Sequence, residues 1–142
     1  MIVSLDLANA NVNRNITLAG TSVAIFTFLL FFLYPRYVSG EINSILFQFT
    51  LAIIVSVIFS LVHSATYYYG DTLTLSLAPG QLTAVFGKAE AFWLVGYSLL
   101  LLEPSLILFT VSLPVVGVYA LILWFSYLYL TWIQFRKQTK RK

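Results

Sequence analysis

The stretch from Ala91 to Phe135 carries a single charged side chain, Glu103, and Pro104 follows it directly. One membrane crossing needs about 20 apolar residues, so this run is long enough for two crossings joined by almost no loop. Everything upstream has to fold against that hairpin. Composition agrees: 60% of the 142 residues are hydrophobic and only 9% are charged, whereas a soluble domain carries about 25% charged residues. The expected fold is all-α, a polytopic membrane bundle of four transmembrane helices built as two antiparallel hairpins with an interfacial connector.

Taken in order, the chain predicts a solvated lead-in over residues 1–15, where Asn9, Asn11, Asn13 and Asn15 alternate with other residues and an N-cap is expected near Asn15 or Thr17. Helix one is expected over residues 16–35, stopped by Pro35, and Arg36 and Tyr37 serve as interfacial anchors. Thr17, Gly20, Thr21, Ala24 and Thr27 share one face of it, and small residues at that spacing let two backbones approach closely. The short link through Ser39-Gly40 makes helix two, residues 44–67, its antiparallel neighbour. Residues 71–90 read as the interfacial connector: Thr72 to Leu77 alternates hydroxyl and Leu, Pro79-Gly80 marks a turn, and a re-entrant dip is an alternative. The last hairpin is divided into helix three (91–110) and helix four (116–135) with its turn at Pro114. A turn at Glu103-Pro104 is the rival division, which puts Pro104 in a first helical turn but leaves a helix too long for the bilayer. The whole forms a single transmembrane domain with a basic tail, 136–142.

Charge sets the orientation. Arg136, Lys137, Lys140, Arg141 and Lys142 carry five of the eight basic charges. With that tail cytoplasmic, Arg14 and Lys88 fall on the same side and Arg36 alone on the other, so both termini are expected inside. Such a tail suits lipid headgroups and membrane insertion, not nucleic acid. The expected localisation is integral to the cell membrane. The first fifteen residues do not resemble a cleavable signal peptide, so helix one is read as its own insertion signal.

Several chemistries are excluded by inventory. Cys is absent, Met1 is the only Met and there is one His, so thiolate, thioether and paired-imidazole metal sites cannot be built within one chain. No nucleophile triad or phosphate-binding glycine loop is present, and no cofactor is expected. Two ionisable residues stand out as transport or proton candidates. Glu103 falls near mid-bilayer, where such groups mark ion, proton or substrate paths; Gly96 and Thr110 share its face, which suggests a groove floored by glycine. His63 lies near one end of helix two, beside a polar stripe of Gln48, Ser56, Ser60, Ser64 and Tyr67, to which Ala52 adds a small residue. That stripe must face protein or water, either as interhelical hydrogen bonds or as a wet path.

The leading functional expectation is a non-catalytic structural or accessory subunit of a larger membrane complex, contacting membrane lipids and either other integral subunits or copies of itself. The alternative is a small homo-oligomeric transporter or channel using Glu103 and the helix-two stripe. A membrane enzyme depending on His63 ranks third.

Overall fold

Four helices follow one another: α1 (Ile2–Val38), α2 (Ser44–Leu73), α3 (Pro79–Thr110) and α4 (Pro114–Thr139). The computed structural model describes the backbone of residues 2–73 and 79–139 and the side chains of residues 6–70 and 83–133. Each helix contains a segment long and apolar enough to cross a membrane. The chain is a four-helix membrane bundle.

Three departures from the sequence expectation have local causes. α1 begins near the chain start, not at Ile16, because Ala8 and Asn15 are fully buried and tertiary contacts outweigh the weak helix propensity of asparagine. α1 also runs through Pro35 to Val38; the proline leaves the Phe31 carbonyl without its helical N–H donor, and the Ser39 N–H bond to the Pro35 carbonyl (3.0 Å) closes the turn beyond it. α3 starts at Pro79, so residues 79–90 are helical and continuous with helix three, and Pro79 opens the helix at the position where its missing N–H costs nothing. Residues 71–73 of the expected connector close α2, which runs past the expected end at Tyr67, and the rest, 74–78, and with it the re-entrant reading, lies outside the described residues.

Both described turns are closed by the same backbone device. After α1, the Glu41 N–H bonds to the Arg36 carbonyl (2.9 Å) and the Gly40 N–H to the Tyr37 carbonyl (3.1 Å), with Gly40 at φ +77°. After α3, Leu113 bonds to Leu108 (2.8 Å) and Ser112 to Phe109 (3.1 Å), with Ser112 at φ 63°. These are Schellman caps, whose penultimate residue takes the left-handed conformation. Gly40 takes it freely and Ser112 does not. Replacing Ser112 by Gly is therefore expected to stabilise the turn by about 1 kcal/mol, read as a higher melting temperature in detergent. The turn lies at Val111–Leu113, and Pro104 sits inside α3.

Asn43 caps α2 through its side-chain oxygen, which accepts from the Leu46 N–H (2.9 Å). In the same loop Arg36 and Glu41 form the one ion pair among the described residues, at 3.1 Å. The hydrogen bond from Arg36, then that from Ser39, holds the Glu41 carboxyl below the usual carboxylate range.

α2 packs against both α1 and α3, whereas α4 packs on α3. The buried positions repeat every seven residues: Ala8, Asn15, Ser22 and Leu29 on α1; Phe47, Ile54, Leu61 and Tyr68, with Thr50, Val57 and Ser64, on α2; Ala89, Gly96, Glu103 and Thr110 on α3. A repeat of 3.5 residues per turn is the signature of left-handed coiled packing, the commonest geometry in membrane bundles. Leu29, Leu33, Ile42, Phe47 and Ile54 form the core at the loop end, and Ala19, Val57 and Leu61 the core nearer the termini. α4 leaves Val115, Tyr119, Ile122, Phe125 and Leu130 uncovered, an apolar surface suited to acyl chains.

Candidate functional site

The three-helix core holds its polar groups in tiers separated by apolar layers. Toward the terminal end of the bundle, the Tyr68 hydroxyl donates to Glu90. A relay crosses three helices there: Asn15 Nδ2 donates to Ser64 Oγ (2.8 Å), which donates to the Ala89 carbonyl (2.7 Å). Beside the relay the Arg14 guanidinium stacks over the Trp93 ring at 4.2 Å, a favourable cation–π geometry. Deeper, Ser22 Oγ donates to Glu103 Oε1 at 3.5 Å. At the loop end the Thr50 and Thr110 hydroxyls meet at 3.0 Å. Each tier ties elements distant in sequence, as buried polar groups in lipid must.

Glu103 is the centre of interest. It is 1% exposed, and its second oxygen, Oε2, has no hydrogen-bond partner. A buried carboxyl oxygen left unpaired costs about 1–3 kcal/mol, so its presence asks for a reason. The glycine-floored groove expected beside it does not exist: α2 fills it. A Cβ on Gly96 would lie 3.0 Å from Leu61 Cγ and 3.1 Å from Ser60 Cβ, so Gly96 serves close helix approach. Between the Ser22–Glu103 tier and the Asn15–Ser64 tier stand Ala19, Val57, Leu61 and their neighbours. Seven residues along a helix span about 10 Å, too far for a direct proton hop, so the tiers do not form a continuous wire.

The predicted helix-two stripe is split. Ser64 is buried in the relay, but Gln48, Ser56 and His63 are exposed and Ser60 and Tyr67 half-buried. The heptad seam of α2 runs through Thr50, Val57 and Ser64, about 100° around the helix from Ser56 and His63. The hydroxyl of Ser56 turns back onto the Ala52 carbonyl (2.9 Å), which lets it face lipid without an outside partner. Gln48 bonds to Tyr37 and Ser44 at the loop end (3.3 and 3.1 Å). His63 and Glu103 are not brought together: Phe92, on which His63 stacks, stands three turns of α3 from Glu103, about 16 Å at 1.5 Å per residue. The side chains of Arg136, Lys137, Lys140, Arg141 and Lys142 lie outside the described residues.

Asn15, Ser22, Arg14, Tyr68, Glu90 and Thr50 were not among the predicted site residues. Asn15 had been read as an N-cap candidate. The legible signal was the period of seven, since Asn15–Ser22 and Thr50–Ser64 keep the register that Gly96, Glu103 and Thr110 show on α3. A shallow apolar groove of about 230 Å³ between α1 and α2, lined by Val12, Ile16, Val62, Ala65, Thr66 and Tyr69, includes none of the predicted residues. Among the described residues no group of three or more His, Asp or Glu could hold a metal ion. Compared with known protein families, curated proteins and solved structures, the chain matches none.

Proposed function

We propose that this chain is a non-catalytic structural subunit of a larger integral membrane complex, with both termini cytoplasmic. The observation that carries the reading is the face of α1 formed by Thr17, Gly20, Thr21, Ala24 and Thr27. It was expected to pack against a neighbouring helix, yet within the chain all five residues are exposed and a Cβ on Gly20 would meet nothing within 4 Å. Glycine in a helix interior costs about 1 kcal/mol relative to alanine, and in lipid its return is close approach of a second helix. The buried polar groups support the same reading: they join α1, α2 and α3 to one another. Arg14, Lys88 and the basic tail on one side, against Arg36 on the other, support the orientation.

Gly20→Ile tests it, because the site has room and the chain's own fold should stand. The variant is expected to keep its melting temperature as an isolated chain and to lose its partners when purified in mild detergent from its native membrane. Unchanged co-purification, or a wild-type chain that emerges alone, overturns the proposal.

One observation favours the second reading, a small homo-oligomeric transporter or channel: the unpaired Oε2 of Glu103. In that reading the carboxyl takes up a proton or cation, and the polar face of α2 lines a path between copies of the chain.

A further inference from the structure

His63 is the only histidine in the chain. Its Nδ1 lies 2.8 Å from the Phe59 carbonyl oxygen; a carbonyl only accepts, so Nδ1 carries the proton. The ring is exposed on the α2–α3 seam and stacks on Phe92 (centroids 5.5 Å apart, 28° between planes). Phe92 stacks in turn on Tyr67 (5.7 Å, 18°). One turn nearer the terminal end of α3, on the same helix face as Phe92, stands Lys88, also exposed.

Two features separate this patch from the rest of the lipid-facing surface. Elsewhere on the outer face of α2 the hydroxyls are closed within the helix, Ser56 onto Ala52 and Thr66 onto Val62. Here neither the Lys88 ammonium nor Nε2 of His63 has a partner among the described residues. The acid closest along α3, Glu90, is engaged with Tyr68 on the opposite side of the helix. Among the described residues no acid therefore compensates this cation, which stands one turn from a wall of stacked rings.

We propose that the terminal end of the α2–α3 seam binds one anionic glycerophospholipid, with its phosphate on Lys88 and Tyr67. The upper part of an acyl chain then covers the His63–Phe92 stack and continues over Val95 and Phe59, which are uncovered by the chain. Nε2 of His63 meets water or a hydroxyl at the glycerol level. The proposed contacts use no residue of the basic tail, and the site stands whether the chain is a structural subunit or a carrier.

The single histidine makes a clean reporter. The full chain is reconstituted in vesicles of phosphatidylglycerol or of phosphatidylcholine, and carbethoxylation of His63 by diethyl pyrocarbonate is followed by its absorbance change. The expected result is roughly fivefold slower modification in phosphatidylglycerol, the equivalent of one lysine contact at the surface. Lys88→Gln should remove the difference, and neutralising the five tail charges should leave it. Equal rates for the wild type in the two lipids overturn the proposal. So does a difference that survives Lys88→Gln, which reports only the surface pH of the vesicle, or one that vanishes with the tail charges. In native mass spectrometry the wild type should retain one phosphatidylglycerol per chain and Lys88→Gln none; equal retention by the two counts against the site.

Discussion

Gly96→Leu should prevent recovery of a folded, monodisperse chain. At Gly96 the α2 and α3 backbones approach so closely that even one added carbon would sit 3.0 Å from Leu61 Cγ and 3.1 Å from both Leu61 Cδ2 and Ser60 Cβ. The Ser60 Cβ is fixed to its backbone, so relief requires the helices to part. Overpacking typically costs about 1–3 kcal/mol, and leucine adds three further carbons where Leu61 already lies. In lipid no hydrophobic force draws the separated helices back together. Alanine should therefore lower the melting temperature, and leucine should insert into the membrane without forming the α2–α3 seam. Size-exclusion profiles and thermal melts in detergent check both, and Gly20→Leu, with open space around it, is the control. A leucine variant that melts with the wild type would mean the contact is not formed.

The second large effect centres on Glu103, where three substitutions part company. Lysine places a cation near the helix centre, at an insertion cost of about 2.5–3.5 kcal/mol, and neither Ser22 nor any described neighbour compensates it. Folded protein should not accumulate. Glutamine preserves the volume and the acceptor that Ser22 uses at 3.5 Å, so stability should change little. Leucine removes the pair, but a membrane interhelical hydrogen bond averages only about 0.6 kcal/mol, and the Ser22 hydroxyl can turn back to its own helix. The leucine variant should stay within about 1 kcal/mol of the wild type. Stability measured with flux in vesicles then separates the two functional readings. Gln that melts normally but abolishes coupled flux identifies a carrier. Gln and Leu that both melt normally and leave flux and complex yield untouched would show a carboxyl with no role in either.

How much of this could be read from residues alone varies along the chain. The hairpin at the C-terminal end was legible down to its turn, because Val111 to Val115 combines a proline with a break between two apolar runs. The α1 boundary was not. Four asparagines look like solvated lead-in, and only the buried partner Ser64 makes Asn15 a helix interior residue. That the α2 stripe divides between buried and exposed positions within the chain was not legible, for a related reason. In water, polar residues mark the outer face; in a membrane helix apolar residues cover the whole circumference and a hydroxyl can satisfy itself on its own backbone, as Ser56 does. Polarity by itself therefore does not point inward. The heptad register does, since packing alone sets it, and the burial of Glu103 was legible because an ionisable group inside an apolar run has no such local escape.

The amino-acid sequence by itself determined that this is a membrane protein of four helices, since length and hydropathy fix what water will not accept. It also determined which residue types are missing and thus which metal and nucleophile chemistries one chain cannot build. Only the tertiary structure decided which face of each helix is covered. It put Asn15, Ser64 and the Ala89 carbonyl into one relay, buried Glu103 against Ser22, filled the supposed groove at Gly96 and left Gly20 and His63 uncovered. The physical reason is that lipid is as apolar as the side chains that face it, so burial leaves no hydrophobic contrast in the sequence, and the choice of face falls to backbone approach and to hydrogen bonds between residues far apart in the chain.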